Sequence, residues 1–542
     1  MNNPLLEISG LPPFSKINPA DVEPAIDITL ENNRKRINEL VTTTEYYNWD
    51  NFIQPLEDLE DNLNRIWSTV NHMNSVVNSE ELRAAYNACL PKLSEYSTEL
   101  GQHEGIYRAV QSIAQSPEFQ HFDKAQTRVI ENQLRDFRLS GIELEADKKQ
   151  RYKEIQQELA RITTKFEENV LDATFGWNKL VTDESRLSGL PESSLGMARQ
   201  TAERNDQEGW LFTLEFPSYY GVMSYADDRE LRREMYEAYV TRASDQGPNA
   251  DKWDNSPIME KILALRHELA QLLGFASYAQ YSLETKMASH PDQVLNFLND
   301  LADRSKKMAQ KELEDLKNFV KQHFQQDTLE AWDIAYYAEK LRQHQYAISQ
   351  EDLKPYFPEH RVLAGMFQVV KNLYGIDIKE VKGIDTWHED TRFFEIYGTN
   401  GEPRGQFYLD LYVRPNKRGG AWMAECISRK KTRAGKIQVP VAFLTCNLTP
   451  PIGKDPALFT HNEVVTLFHE FGHGLHHMLT KVDYPSVSGI SGVPWDAVEL
   501  PSQFMENWCW EREALDLISG HYKTDEPLPE ELVLSVFLYW TF

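Results

Sequence analysis

The chain has 542 residues, 41% apolar and 26% charged, the make-up of a large globular protein rather than a disordered or fibrous one. With 57 Lys plus Arg against 83 Asp plus Glu the formal charge is −26, and so acidic a surface argues against nucleic acid as the main partner, because phosphate binding needs clustered cations. No apolar run reaches the ~18 residues a membrane span needs, and residues 1–24 lack the basic and apolar segments of a signal peptide, so the expectation is a cytoplasmic protein with no membrane partner.

Most of the first 380 residues read as helix, in an N-terminal helical region over 1–150 and a second over 151–380. The clearest helix is predicted over 147–170. Its apolar residues Tyr152, Ile155, Leu159, Ile162, Phe166 and Val170 recur every three or four positions and form one stripe, with charges on the other faces. Similar patterns predict helices near 80–100, 228–242, 257–273 and 293–323. No fixed-period repeat is present, which argues against a solenoid.

A third region, 381–531, opens differently. Two β-rich stretches flank Asn400-Gly401, a hairpin signal, and the second alternates Phe407, Leu409, Leu411 and Val413 with Tyr408, Asp410 and Tyr412. Beyond the loop Lys417-Arg418-Gly419-Gly420, residues 439–446 read as a further strand. A small sheet is therefore expected before the next helix, with an edge able to pair with an extended peptide.

Helical signals return over 460–480. Thr460 and Glu463 fit a capping box, and Val464, Phe468, Phe471, Leu475 and Leu479 form an apolar stripe that Val465, Leu467 and Met478 widen, as in a helix buried on most sides. Within it lies His469-Glu470-Phe471-Gly472-His473. Histidines at i and i+4 stand one above the other and can share one zinc ion, while Glu470, about 100° around the helix, reaches beside the metal and can act as general base.

A catalytic zinc needs a third protein ligand and an open position. Downstream, Glu499, Gln503 and Glu506 fall at i, i+4 and i+7 of a second helix that Pro501 should begin or kink. Glu499 is the expected third ligand, with one Zn²⁺ per chain; Glu506 and Asp496 are candidates to orient the imidazoles. His476 shares the face of His469 and His473, but it is about 10.5 Å from His469 along an unbroken helix, which makes it a weaker ligand candidate. Cys89, Cys426, Cys446 and Cys509 are too scattered to suggest disulfides or a thiolate site.

These residues resemble the thimet oligopeptidase family of zinc metallopeptidases. The resemblance is strongest in FTHNEVVTLFHEFGHGLHHMLT and SGISGVPWDAVELPSQFMENWCWE, and extends to LPPFSKI, SGIELEADKKQRY, TRASDQGPNADKWDN, ALRHELAQLLGF and LYVRPNKRGGAWM. It implies a mainly α, two-lobed zincin-type fold with a small β-sheet beside the active-site helix and a deep channel admitting short unstructured peptides. It implies His469, His473 and Glu499 as ligands, Glu470 as base, and Gly489 and Gly492 in a loop that closes over substrate. The activity it implies is endopeptidase cleavage of short peptides, in bacteria including signal-peptide fragments. The family's pattern continues past residue 542 into a segment rich in Tyr, His and Gly. Here residues 532–542 form an apolar tail atypical of it, so a competing expectation is a catalytically impaired peptide-binding protein.

Overall fold

The computed structural model describes residues 3–7, 9–346 and 349–533. The stripe read over 147–170 lies in the helix Ala146–Phe175, where Tyr152, Ile155 and Ile162 pack on Leu265 and Leu269 of the helix Ser256–Leu272. Each such side chain removed from water contributes roughly 1.5–3 kcal/mol, which is what holds so charged a helix in place. The other predicted helices form as Glu80–Gly101, Arg229–Val240 and Pro291–Phe324. Near the N-terminus three long helices, α1 (Pro19–Thr43), α2 (Gln54–Val76) and α3 (Glu80–Gly101), pack against one another.

Strands β1 (Asn178–Val181) and β2 (Trp210–Thr213) pair by themselves. Seven more follow: β3 (Asp377–Glu380), β4 (Arg392–Tyr397), β5 (Pro403–Tyr412), β6 (Trp422–Ile427), β7 (Lys430–Lys431), β8 (Ile437–Gln438) and β9 (Val441–Leu448). The main sheet has the order β3-β4-β5-β9-β6, antiparallel except for the parallel pair β5–β9. The hairpin read at Asn400-Gly401 joins β4 to β5. Strand β6 lies at the edge, and its register against β9 shifts between Glu425 and Ile427.

The alternation of β5 separates two cores rather than a core from solvent. Phe407, Leu409 and Leu411 join Phe394, Leu444 and the apolar face of the helix His461–Met478. On the other face Tyr408 meets Phe393, Phe443, Phe14 and Val70. Asp410, on that second face, is buried yet ionised. Its carboxylate accepts from Arg414 at 2.6 and 2.7 Å and from Lys417 Nζ at 2.7 Å, and these cations hold it well below the usual carboxylate range. Lys417 also donates to the carbonyl of Cys446 on β9 at 2.6 Å, and Arg414 to that of Val76 at the end of α2 at 2.9 Å. One buried ion cluster thus ties two strands to the N-terminal helices. Of the tail read over 532–542, Leu532 and Val533 pack on the core around the helix His461–Met478, and residues 534–542 lie outside the described residues.

Candidate active site

The helix His461–Met478 starts as its sequence dictates. The Glu463 amide donates to Thr460 Oγ1 at 3.1 Å, and the Thr460 amide returns a bond to Glu463 Oε2 at 2.8 Å. Glu463 does more than cap. Its Oε1 accepts from the amide and hydroxyl of Thr449, both at 2.7 Å, and so fixes the helix to the end of β9.

Glu499 immediately precedes the short helix Leu500–Glu506, with Pro501 in its first turn where no amide bond is lost. This helix comes very close to the first at Gly472. A Cβ there would stand 2.5 Å from the Pro501 carbonyl oxygen and 2.6 Å from Ser502 Cα, so only glycine permits the approach. Glu499 is oriented by Ser502, whose hydroxyl donates to its Oε2 at 2.9 Å.

The approach brings three donors together. Glu499 Oε2 lies 3.1 Å from His469 Nε2 and 3.1 Å from His473 Nε2, and the three ligand atoms all fall within 4.8 Å of one another. Ligands bonded at about 2.0–2.2 Å around one tetrahedral ion stand roughly 3.3–3.5 Å apart, so this triangle fits a small divalent cation after slight adjustment. Behind it, His469 Nδ1 lies 2.5 Å from Glu506 Oε1. A carboxylate only accepts, so with a metal held by Nε2 the ring proton of His469 would sit on Nδ1 and be taken by Glu506. Burial lowers the pKa of His473, which favours the neutral ring a metal requires.

Glu470 is buried beside this triangle, and its Oε2 has no hydrogen-bond partner among the described residues. Burial pushes its pKa up to about 7, and the nearby Glu499 adds to the rise, while His469 and the Met423 amide of β6 pull it down. A carboxyl in that range can take up and release a proton near neutrality.

Other expected residues lie elsewhere. Asp496 does not reach the imidazoles: the turn Trp495–Ala497 directs its carboxylate to the amides of Met287 at 3.0 Å and Ala288 at 2.9 Å. His476 stays outside the triangle, half-buried, as the helical rise requires. Gly489 begins the turn Gly489–Gly492 at φ +57°, and a Cβ on it would meet His477 at 2.9 Å, so the glycine loop seats on the motif helix. Ser491 of the same turn donates to Glu425 on β6 at 2.8 Å.

Three contributors escaped the sequence reading: Ser502, the Met423 amide and β6 itself. The signal for β6 was the run Trp422–Ile427, which has no clean alternation and finds its partner β9 only across β7 and β8.

Comparison with known proteins assigns the chain a family. Residues 222–540 match peptidase family M3, and residues 26–149 match the neurolysin/thimet oligopeptidase N-terminal domain. The chain is 58% identical over 533 residues to oligopeptidase A of Escherichia coli (strain K12) and 57% identical over 531 residues to that of Haemophilus influenzae. Both alignments cover 98% of this chain and 78% of the relative. Among solved structures, PZ peptidase A shares the fold at a TM-score of 0.52 and 14% identity, over 97% of this chain and 73% of that one. On these grounds the chain belongs to peptidase family M3 and is a metallopeptidase.

Proposed function

We propose that this metallopeptidase is a zinc-dependent oligopeptidase that cleaves short, unstructured peptides at internal bonds, including fragments of signal peptides. The observation that carries the reading is Glu499 Oε2 standing 3.1 Å from both motif imidazoles with the Glu470 carboxyl beside them. His469, His473 and Glu499 would hold the zinc, which when bound supplies Lewis acidity to the scissile carbonyl and lowers the pKa of water toward neutrality.

The chain's own residues do the rest. Glu506 holds His469 in the tautomer that leaves Nε2 free. Glu470 takes the proton of the attacking water and later delivers it to the leaving amine, for which a pKa near 7 suits it in both directions. The edge strand β6 passes Glu470 at Met423, where an extended peptide can pair with it and present a bond to the site. Four unpaired, buried thiols support a reducing cytoplasm as the place of action. The competing expectation of an impaired peptide-binding protein finds no support in the comparisons.

Metal analysis of the purified chain, with product mapping on an internally quenched decapeptide, tests the proposal. The expected result is about one zinc per chain, internal cleavage, loss on chelation and recovery with added zinc. Cleavage that survives complete metal removal would overturn it, and stepwise release of single N-terminal residues would replace an endopeptidase with an aminopeptidase.

A further inference from the structure

Beside the edge strand lies a cavity of about 780 Å³, walled by α2, α3, the helix Lys124–Leu139, Glu425 of β6, Ser486 and, from the glycine loop, Ser491. Its lining carries five carboxylates, Glu57, Glu60, Asp61, Asp136 and Glu425, and one cation among the described residues, Arg135. Two of the five are neutralised. Asp61 receives Lys430 at 2.6 Å, and Asp136 pairs with Arg135 at 2.8 Å.

The other three are not neutralised in this way. Glu57 is only 2% exposed; its Oε2 accepts from the Ser486 hydroxyl at 3.0 Å and amide at 3.3 Å, but its Oε1 has no hydrogen-bond partner among the described residues. Glu425 accepts from neutral donors only, Asn64 at 2.7 Å and Ser491 at 2.8 Å, with His477 Nδ1 no closer than 4.0 Å. Glu60 has no hydrogen bond or ion pair among the described residues. Glu57 Oε1 is a buried acceptor left without a donor, which is costly, and Glu60 is exposed with no cation beside it, so the cavity suits a positive charge.

We propose that this cavity is a subsite for a cationic group of the substrate peptide, a Lys or Arg side chain or the α-ammonium, received by Glu57, Glu60 and Glu425. The inference rests on the peptidase reading above. Glu425 stands two residues along β6 from Met423, about 7 Å, so a peptide paired with the strand beside Glu470 reaches the cavity within a few residues. Burial raises the pKa of Glu57 and the neighbouring Glu60 adds to the rise, as expected of a carboxyl that lacks a counter-charge.

The test uses internally quenched decapeptides in which one Lys, or norleucine in its place, is moved through each position, with free and acetylated N-termini. The parent chain should favour the Lys peptide, or the free amine over the acetylated one, by about tenfold in kcat/KM at one position on one side of the cut bond. Glu57→Gln and Glu60→Gln should each bring that ratio toward one. The Lys and free-amine arms separate the two sources of charge. A parent ratio of one at every position, or a ratio unchanged in both variants, overturns the proposal. Fluorescence anisotropy of the same peptides reads the ratio without turnover. If cleavage is absent but the binding ratio persists, the peptidase reading fails alone; if cleavage proceeds and the binding ratio is one, the subsite fails alone.

Discussion

His469 Nδ1 lies 2.5 Å from Glu506 Oε1, seven residues beyond the Glu499 whose carboxylate faces the other nitrogen of the same ring. The short helix Leu500–Glu506 and the residue before it therefore flank the imidazole on both sides, with the proposed ligand at Nε2 and an anchor at Nδ1. Removing such an anchor typically weakens metal binding about 10- to 100-fold. Glu506→Gln should do so while keeping cleavage at saturating zinc, and Glu499→Gln, which removes a donor outright, should weaken binding further. Competition with a chromophoric chelator measures both. Equal zinc affinity in Glu506→Gln and the parent would refute the anchoring role.

Glu470→Gln separates binding from chemistry. The side chain lies beside the ligand triangle and not within it, so the variant should retain a full complement of metal. It should lose the proton transfer, worth about 10²–10⁴ in kcat. Metal content and single-turnover rate on the same preparation check this. A variant that lost zinc along with activity would assign Glu470 a ligand or structural role instead.

The sequence carried the parts of this site that local periodicity writes. The i, i+4 histidines, the Thr460–Glu463 cap and the helix start beside Pro501 all depend on neighbours within a turn or two, and each stands in the structure within a residue of where spacing puts it. The hairpin at Asn400-Gly401 belongs to the same class. What was not legible depends on contacts across the chain. Among the described residues strand β6 pairs only with β9, beyond a small hairpin, so nothing near Met423 announces that its amide faces Glu470. Asp496, three residues before Glu499, looked close enough to orient an imidazole. Its turn instead directs it to backbone amides some 209 residues away in the chain. The alternation in β5 was visible, but not that both faces are buried, because Asp410 reads as a solvent-facing residue until Arg414 and Lys417 are placed around it.

Glu57 makes stability depend on pH. Its carboxyl is pushed up to about 7 in the folded chain, first by burial and then by Glu60, against an ordinary 4.5. The unfolded chain therefore gives up this proton first. As pH rises from about 4.5 to 7, folding loses stability; below that window the term vanishes, and above it the penalty is complete at up to about 3 kcal/mol. Glu57→Gln removes the titration. Its denaturation midpoint should exceed the parent's at about pH 8 and converge on it near pH 4.5. A difference that does not vary with pH would show that folding does not raise the Glu57 pKa.

Gly472 is the position where the two helices of the site touch. A methyl group there would press on the Pro501 carbonyl and on Ser502 Cα, both backbone atoms that no side-chain rotation can clear. The helix Leu500–Glu506 must then move away, taking Glu499 from the imidazoles and Glu506 from His469. In an ordinary exposed helix, Gly→Ala stabilises by about 1 kcal/mol through backbone propensity. Here overpacking opposes that gain with a cost of about 1–3 kcal/mol, so stability changes little or falls. Zinc affinity, by contrast, depends on sub-ångström convergence of three donors and should drop by at least the 10- to 100-fold expected for losing Glu506 alone. Measuring thermal midpoint and zinc affinity together on Gly472→Ala checks the argument, which fails if the variant binds zinc as the parent does.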